Sequence, residues 1–202
     1  MKKSKLEAAE TRRRIVKTAA AEFRRNGIHA TGLSDVMAAA GLTHGGFYRH
    51  FDSKDELVAE ACAAAMEPAA ENTVAAACYG AANDSLEAIV TSYLCPDHRD
   101  NLSEGCPIAA LGTELARSDD KTRAVATAGV LKFVDRIAEQ YRRTKPKTAK
   151  ARAQVAASAM VGAVMISRIV TDPELSAAIL RHTKKHVFNL LKGRGNLSAE
   201  AD

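Results

Sequence analysis

The chain of 202 residues has no tryptophan, and aromatic side chains make up only 4% of it, so a core must come from aliphatic residues and alanine. At 47% hydrophobic residues there are enough of them to build one. Runs in which β-branched and polar residues alternate are missing, while Ala, Glu, Lys, Arg and Leu abound, which points to an all-α chain. No apolar run approaches the length needed to span a bilayer. The opening MKKSKLEAAETRRR is basic but has neither the apolar stretch nor the cleavage site of an export signal. The expectation is therefore a cytoplasmic protein with no membrane partner. Four cysteines, Cys62, Cys78, Cys95 and Cys106, include no C-x-x-C pair, so reduced thiols are expected rather than disulfides. Cys95, His98 and Cys106 are too sparse a donor set to predict a metal site. G-x-S-x-G, a Walker loop, G-x-G-x-x-G and H-E-x-x-H are all absent, so the sequence predicts neither an enzyme nor a cofactor.

What is present is unevenly distributed. Residues 1–56 hold 11 Lys and Arg against 7 Asp and Glu, whereas residues 57–202 hold 18 against 17. The basic surplus sits in the first quarter and favours a polyanionic partner. In that quarter Ile15, Val16, Ala19, Ala20 and Phe23 recur at helical spacing, and Gly27 ends the pattern. A second short helix carries Leu33, Val36 and Met37, with Thr31 or Ser34 as its cap and Gly41 as its stop. A third, capped by Thr43, turns Phe47 and Phe51 inward as an i, i+4 pair. Ser53 and Glu56 then form the ends of a capping box that opens a long fourth helix. Further helices are expected near 54–78, 84–95, 106–117, 119–144, 147–170 and 173–191. Asn83, Asp84 and Ser85 supply caps, and Pro107 and Pro173 fit first turns. CPDHRDNLSEG is the longest interruption, and GRGNLSAEAD forms a loose tail.

Three short helices in 51 residues, two of them joined through AAAGLT, match the spacing of a helix-turn-helix, whose second member enters the major groove. With Phe47 and Phe51 inward, Thr43, His44, Gly45, Gly46, Tyr48, Arg49 and His50 remain to face double-stranded DNA. Gly45 and Gly46 would let the helix start approach base edges and phosphates closely, where its amides favour anions. Tyr48, His50 and Lys54 are expected to hold phosphates, and Thr43, His44 and Arg49 to read bases. Thr31 joins them as a DNA-facing candidate at the start of the second helix.

The stretch TRRRIVKTAAAEFRRNGIHATGLSDVMAAAGLTHGGFYRHFDSKDELV resembles the N-terminal DNA-binding domain of the TetR family of transcriptional regulators. The resemblance covers about residues 11–58 and is most specific in GLTHGGFYRHFDSKDEL. It implies a helix-turn-helix domain over residues 1–53 and a helical effector-binding and dimerisation domain over 54–202. It also implies a homodimer that binds a palindromic operator, most often as a repressor, and answers to a small-molecule effector. Ser34 falls where some relatives touch DNA from the second helix.

The second half resembles the family less closely, through SYLCPDHRDNLSEGCPIAALGTELA. Cys106, ahead of Pro107 at a helix start, is either an oxidant or electrophile sensor or a small packing residue beside an effector pocket. Ala156, Ala159, Gly162 and Ala163, next to Val155, Met165, Ile166 and Ile169, make a small-residue stripe. Together with Leu175, Ile179, Leu180, Val187, Leu190 and Leu191 it predicts a four-helix dimer interface from the helices near 147–170 and 173–191.

Overall fold

A computed structural model of the protein describes residues 5–67, 86–140 and 146–192, and among these it is helical throughout with no strand. Helix α1 runs Lys5–Asn26, and α2 runs Leu33–Ala39. His44–Arg49 forms a short 3-10 helix, and α3 spans Lys54–Met66. Then come α4 (Leu86–Tyr93), α5 (Pro96–Asp100), α6 (Pro107–Leu115), α7 (Asp120–Glu139), α8 (Pro146–Ile169) and α9 (Pro173–Leu191). The expected caps at Asn83, Asp84 and Ser85 and the tail from Gly193 onward lie outside the described residues.

The chain divides into two compact units, Met1–Pro68 with Leu102–Gly129, and Ala69–Asn101 with Val130–Asp202. In the first, Ile15, Ala19 and Phe23 of α1, Val36 and Met37 of α2, Phe47, Phe51, Leu57, Val58 and Cys62 close one core with Leu111 and Leu115 of α6. Helix α3, expected at the head of the second domain, packs on α1. It ends at Met66 rather than near residue 78, because Glu67 turns extended at ψ 132°. Gly129 of α7 lies so close to α3 that an added Cβ would sit 2.5 Å from Met66 Sδ.

Both expected helix stops hold. Gly27 and Gly41 adopt φ of 89° and 69°, a left-handed conformation that costs a side chain steric strain, and the chain turns at each. The caps between them are corrected. Neither Thr31 nor Ser34 caps α2; Gly32 occupies the cap position and its amide donates to Asp35 Oδ2 at 3.1 Å. Thr43 precedes the third helix without a side-chain cap bond. That helix is 3-10 rather than α: Gly46 N donates to Thr43 O and His50 N to Phe47 O, each three residues back. Ser53 does cap α3, accepting from Glu56 N at 3.1 Å, but Glu56 reaches back to the amide of Asp52 instead of Ser53.

In the second unit α8 and α9 pack along each other, and Ala153, Ala156, Met160, Ala163 and Val164 of α8 and Leu180, Val187 and Leu191 of α9 are buried. Tyr93 stacks on Phe133 with ring centroids 5.2 Å apart. The interruption that was expected to be plain loop holds α5. Cys95 Sγ accepts from His98 N at its start, Pro96 fits its first turn, and Arg168 donates to the carbonyls of His98 and Arg99. The small-residue stripe on α8 is corrected as well. Ala156 and Ala163 are buried inside the unit, whereas Val155, Ala159, Ile166 and Ile169 form the outward row. Met160 is fully buried, but Met165 is exposed.

Candidate nucleic-acid interface

The DNA-facing candidates are gathered on the 3-10 helix and its flanks. Phe47 and Phe51 are buried and stacked, with ring centroids 5.4 Å apart, and they fix which side of the helix faces out. Thr43, His44, Gly45 and Arg49 are exposed, while Gly46 and His50 are half-buried. Tyr48 is 66% exposed, and its ring rests edge-on against Phe47 at 5.2 Å, so its base is held and its hydroxyl end faces away. Ser34 is exposed on α2.

The glycine pair has no internal cause. Neither residue has a positive φ, a Cβ on Gly45 would meet nothing within 4 Å, and one on Gly46 would make ordinary contacts with Met37 Cε at 3.6 Å and Thr43 Oγ1 at 3.9 Å. Alanine would fit both places and would favour the helix. The bareness therefore serves something outside the described chain. A 3-10 helix of six residues carries too little dipole for the expected anion preference to matter much, so close approach is what remains of that argument.

Two candidates also bond within the chain. Thr31 is 2% exposed and its hydroxyl donates to Gly27 O at 2.6 Å, so it braces the turn after α1 and offers nothing to a ligand. Lys54 Nζ donates to the carbonyls of Ile28 and Thr31 at 2.8 and 2.7 Å. Two of its three donors are thus committed to the α1–α2 link, which leaves one for the expected phosphate contact.

The sequence reading missed Arg12. Its guanidinium lies 4.1 Å above the Phe51 ring and pairs with Glu56 at 2.8 Å and with Glu60, fastening α1 to α3 behind the candidate surface. The Asp52 amide and then Arg12 hold the Glu56 carboxyl below its ordinary range. Also missed was Glu114, whose carboxylate accepts from the amides of Ile28 and His29. Partners 44 to 86 residues apart leave no local pattern to read.

Away from this surface, Cys106 occupies the cap position of α6 with no side-chain cap bond. None of Cys62, Cys95 and Cys106 is in a disulfide, and burial pushes the Cys62 thiol up to about 11. Among the described residues no group of three or more His, Cys, Asp or Glu could hold a metal ion, and no helix is long and apolar enough to cross a membrane. His29, His182 and His186 are exposed.

Comparison with known proteins bears on this surface directly. The family described as bacterial regulatory proteins, tetR family, matches residues 15–61, from the middle of α1 into α3. An uncharacterized HTH-type transcriptional regulator of Mycobacterium tuberculosis is 30% identical over 172 residues, which cover 80% of this chain and 86% of that one. The chain belongs to the TetR family. Another TetR-family similarity, to the probable acrEF/envCD operon repressor of Escherichia coli, is 41% identity over 59 residues. That match covers 29% of this chain and 27% of the repressor's own length. The crystal structure of a TetR transcriptional regulator from Chloroflexus aurantiacus shares 28% identity at a TM-score of 0.68, covering 92% of this chain and 96% of that one.

Proposed function

We propose that the protein is a DNA-binding transcriptional regulator, a repressor that binds a palindromic operator as a homodimer in the cytoplasm and carries out no catalysis. Residues 1–53 serve as the DNA-binding domain, and residues 54–202 receive a small-molecule effector or an oxidant and pair the two chains. The observation that carries this reading is the bare main chain at Gly45 and Gly46, which nothing inside the monomer requires, flanked by exposed Thr43, His44, Tyr48 and Arg49. In this reading Tyr48 and His50 hold phosphates, Thr43, His44 and Arg49 meet base edges, and Ser34 contacts DNA from α2. The outward row Val155, Ala159, Ile166 and Ile169 of α8 supports pairing, since large apolar side chains left in water at this spacing suit a second copy. Cys106, at the start of α6, is the candidate for contact with the effector or oxidant. Release follows if the effector binds more tightly to a conformation whose two recognition segments no longer fit successive major grooves.

Binding to fragments of the genomic DNA around its own reading frame, followed across salt concentrations, tests the reading. Tyr48→Phe loses one hydrogen bond and is expected to weaken every duplex alike by about 1 kcal/mol, leaving the salt slope intact because tyrosine carries no charge. Arg49→Ala is expected to relax preference at one base pair by about 1–3 kcal/mol. A wild-type protein with no salt-sensitive affinity for any fragment would overturn the proposal.

A further inference from the structure

The segment that carries α6 is tied to the last turn of α1 and to the link that follows it. Ahead of α6, Ser103 O accepts from Arg24 Nε at 2.6 Å, and Arg24 is 8% exposed, a buried cation that burial itself disfavours. In the last turn of α6, Glu114 takes the amide of Ile28 at 3.1 Å on one carboxylate oxygen and that of His29 at 2.9 Å on the other. Gly27 leaves room for this group, since a Cβ there would stand 3.1 Å from Glu114 Oε2.

The link from Gly27 to Gly32 is therefore held from two directions. Glu114 takes its amides, and Lys54, at the head of α3, takes the carbonyls of Ile28 and Thr31. The link leads into α2, which packs on the 3-10 helix. His29 and Ala30 are exposed, and an exposed link whose amides are given back to water is among the easiest parts of a fold to open. Packing of Leu111 and Leu115 in the core keeps α6 near α1 without fixing its register, because apolar contact is non-directional, whereas a carboxylate on two amides is directional. The segment that carries α6 is joined to the second unit through the chain at Asn101–Leu102 and again at Gly129–Val130.

We propose that Glu114 is a positioning residue for DNA recognition: by holding the amides of Ile28 and His29 it sets the posture of α2 and the 3-10 helix. The inference rests on the regulatory reading above and names the residue through which that surface is governed.

Glu114→Gln keeps the size of the side chain but offers one acceptor oxygen, and it turns an NH2 group toward an amide donor. Amide hydrogen exchange on the full chain without DNA is expected to speed up about tenfold in peptides covering residues 27–33 and to stay unchanged in those covering 146–192. Wild-type protein is then used to select duplexes from a randomised pool. The ratio of affinity for selected over unselected duplex is expected to fall about tenfold in E114Q, with the weaker, salt-driven binding retained. A role confined to stability would lower the thermal midpoint and leave that ratio alone. Should E114Q fail to fold, Glu114→Asp keeps the charge on a shorter stem and is expected to give the same changes at smaller size. Unchanged exchange at 27–33, or an unchanged ratio, overturns the inference alone. A wild type that selects no duplex overturns the regulatory reading and the inference with it.

Discussion

His98 accepts burial in exchange for one firm hydrogen bond, Nδ1 lying 2.6 Å from the carbonyl of Tyr93. Burial moves its pKa below the ordinary 6.5, the Tyr93 carbonyl acts against that shift, and the charge of Arg168 adds to the lowering. The unfolded chain thus takes up a proton near 6.5 that the folded chain still refuses. Stability from this residue is complete above that pH and is lost as pH falls through the folded value. The thermal midpoint is expected to drop more steeply between pH 7 and pH 5.5 for the wild type than for His98→Gln, which has no ring to titrate; parallel curves would refute the argument. Other single residues show why side-chain roles are hard to read ahead of a structure. Thr31 and Lys54 carry the polar chemistry of a DNA contact, yet both bond to the main chain of the α1–α2 link. Tyr48 keeps the exposed place that its neighbour Phe47 made legible, because an inward ring at one position turns the next position outward.

At the scale of elements, Gly41 gives the cleanest test. Its φ is 69° and a Cβ would meet nothing within 4 Å, so Gly41→Ala isolates the backbone cost from any clash. A loss of about 1 kcal/mol in chemical denaturation is expected, and an unchanged midpoint would show that the turn relaxes freely. Helix stops of this kind were legible because a glycine directly after a helical pattern has one common use. The start of α2 was not, since Thr31, Ser34 and Asp35 all stand within reach and only the fold decides that Asp35 bonds to Gly32 N. The tighter winding of His44–Arg49 was concealed for another reason: a pair of glycines lowers α-helix propensity without saying which alternative follows. Helix α5 could have been found, because Cys95 followed by Pro96 fits a cap and first turn. Arg24 and Glu114 could not, as their partners lie 79 and 86 residues away.

At the scale of the molecule, the outward face of α8 is where the proposed dimer would place its second copy. Val155, Ile166 and Ile169 are 47%, 46% and 69% exposed, and Leu175 on α9 is 48% exposed. Ile166→Glu would bring a charge into such a contact at a cost of about 3 kcal/mol, roughly a hundredfold in the dimer dissociation constant. Sedimentation is expected to show dimers for the wild type and monomers for the variant, with little change in thermal stability because the residue lies outside the core. A variant that sediments like the wild type would remove α8 from the interface. The same outward face has a consequence for control in the cell. If two chains must meet before either operator half is held, occupancy grows with the square of copy number at low abundance. Such a switch is thrown by dilution as well as by its inducer, so growth and division alone could relieve it.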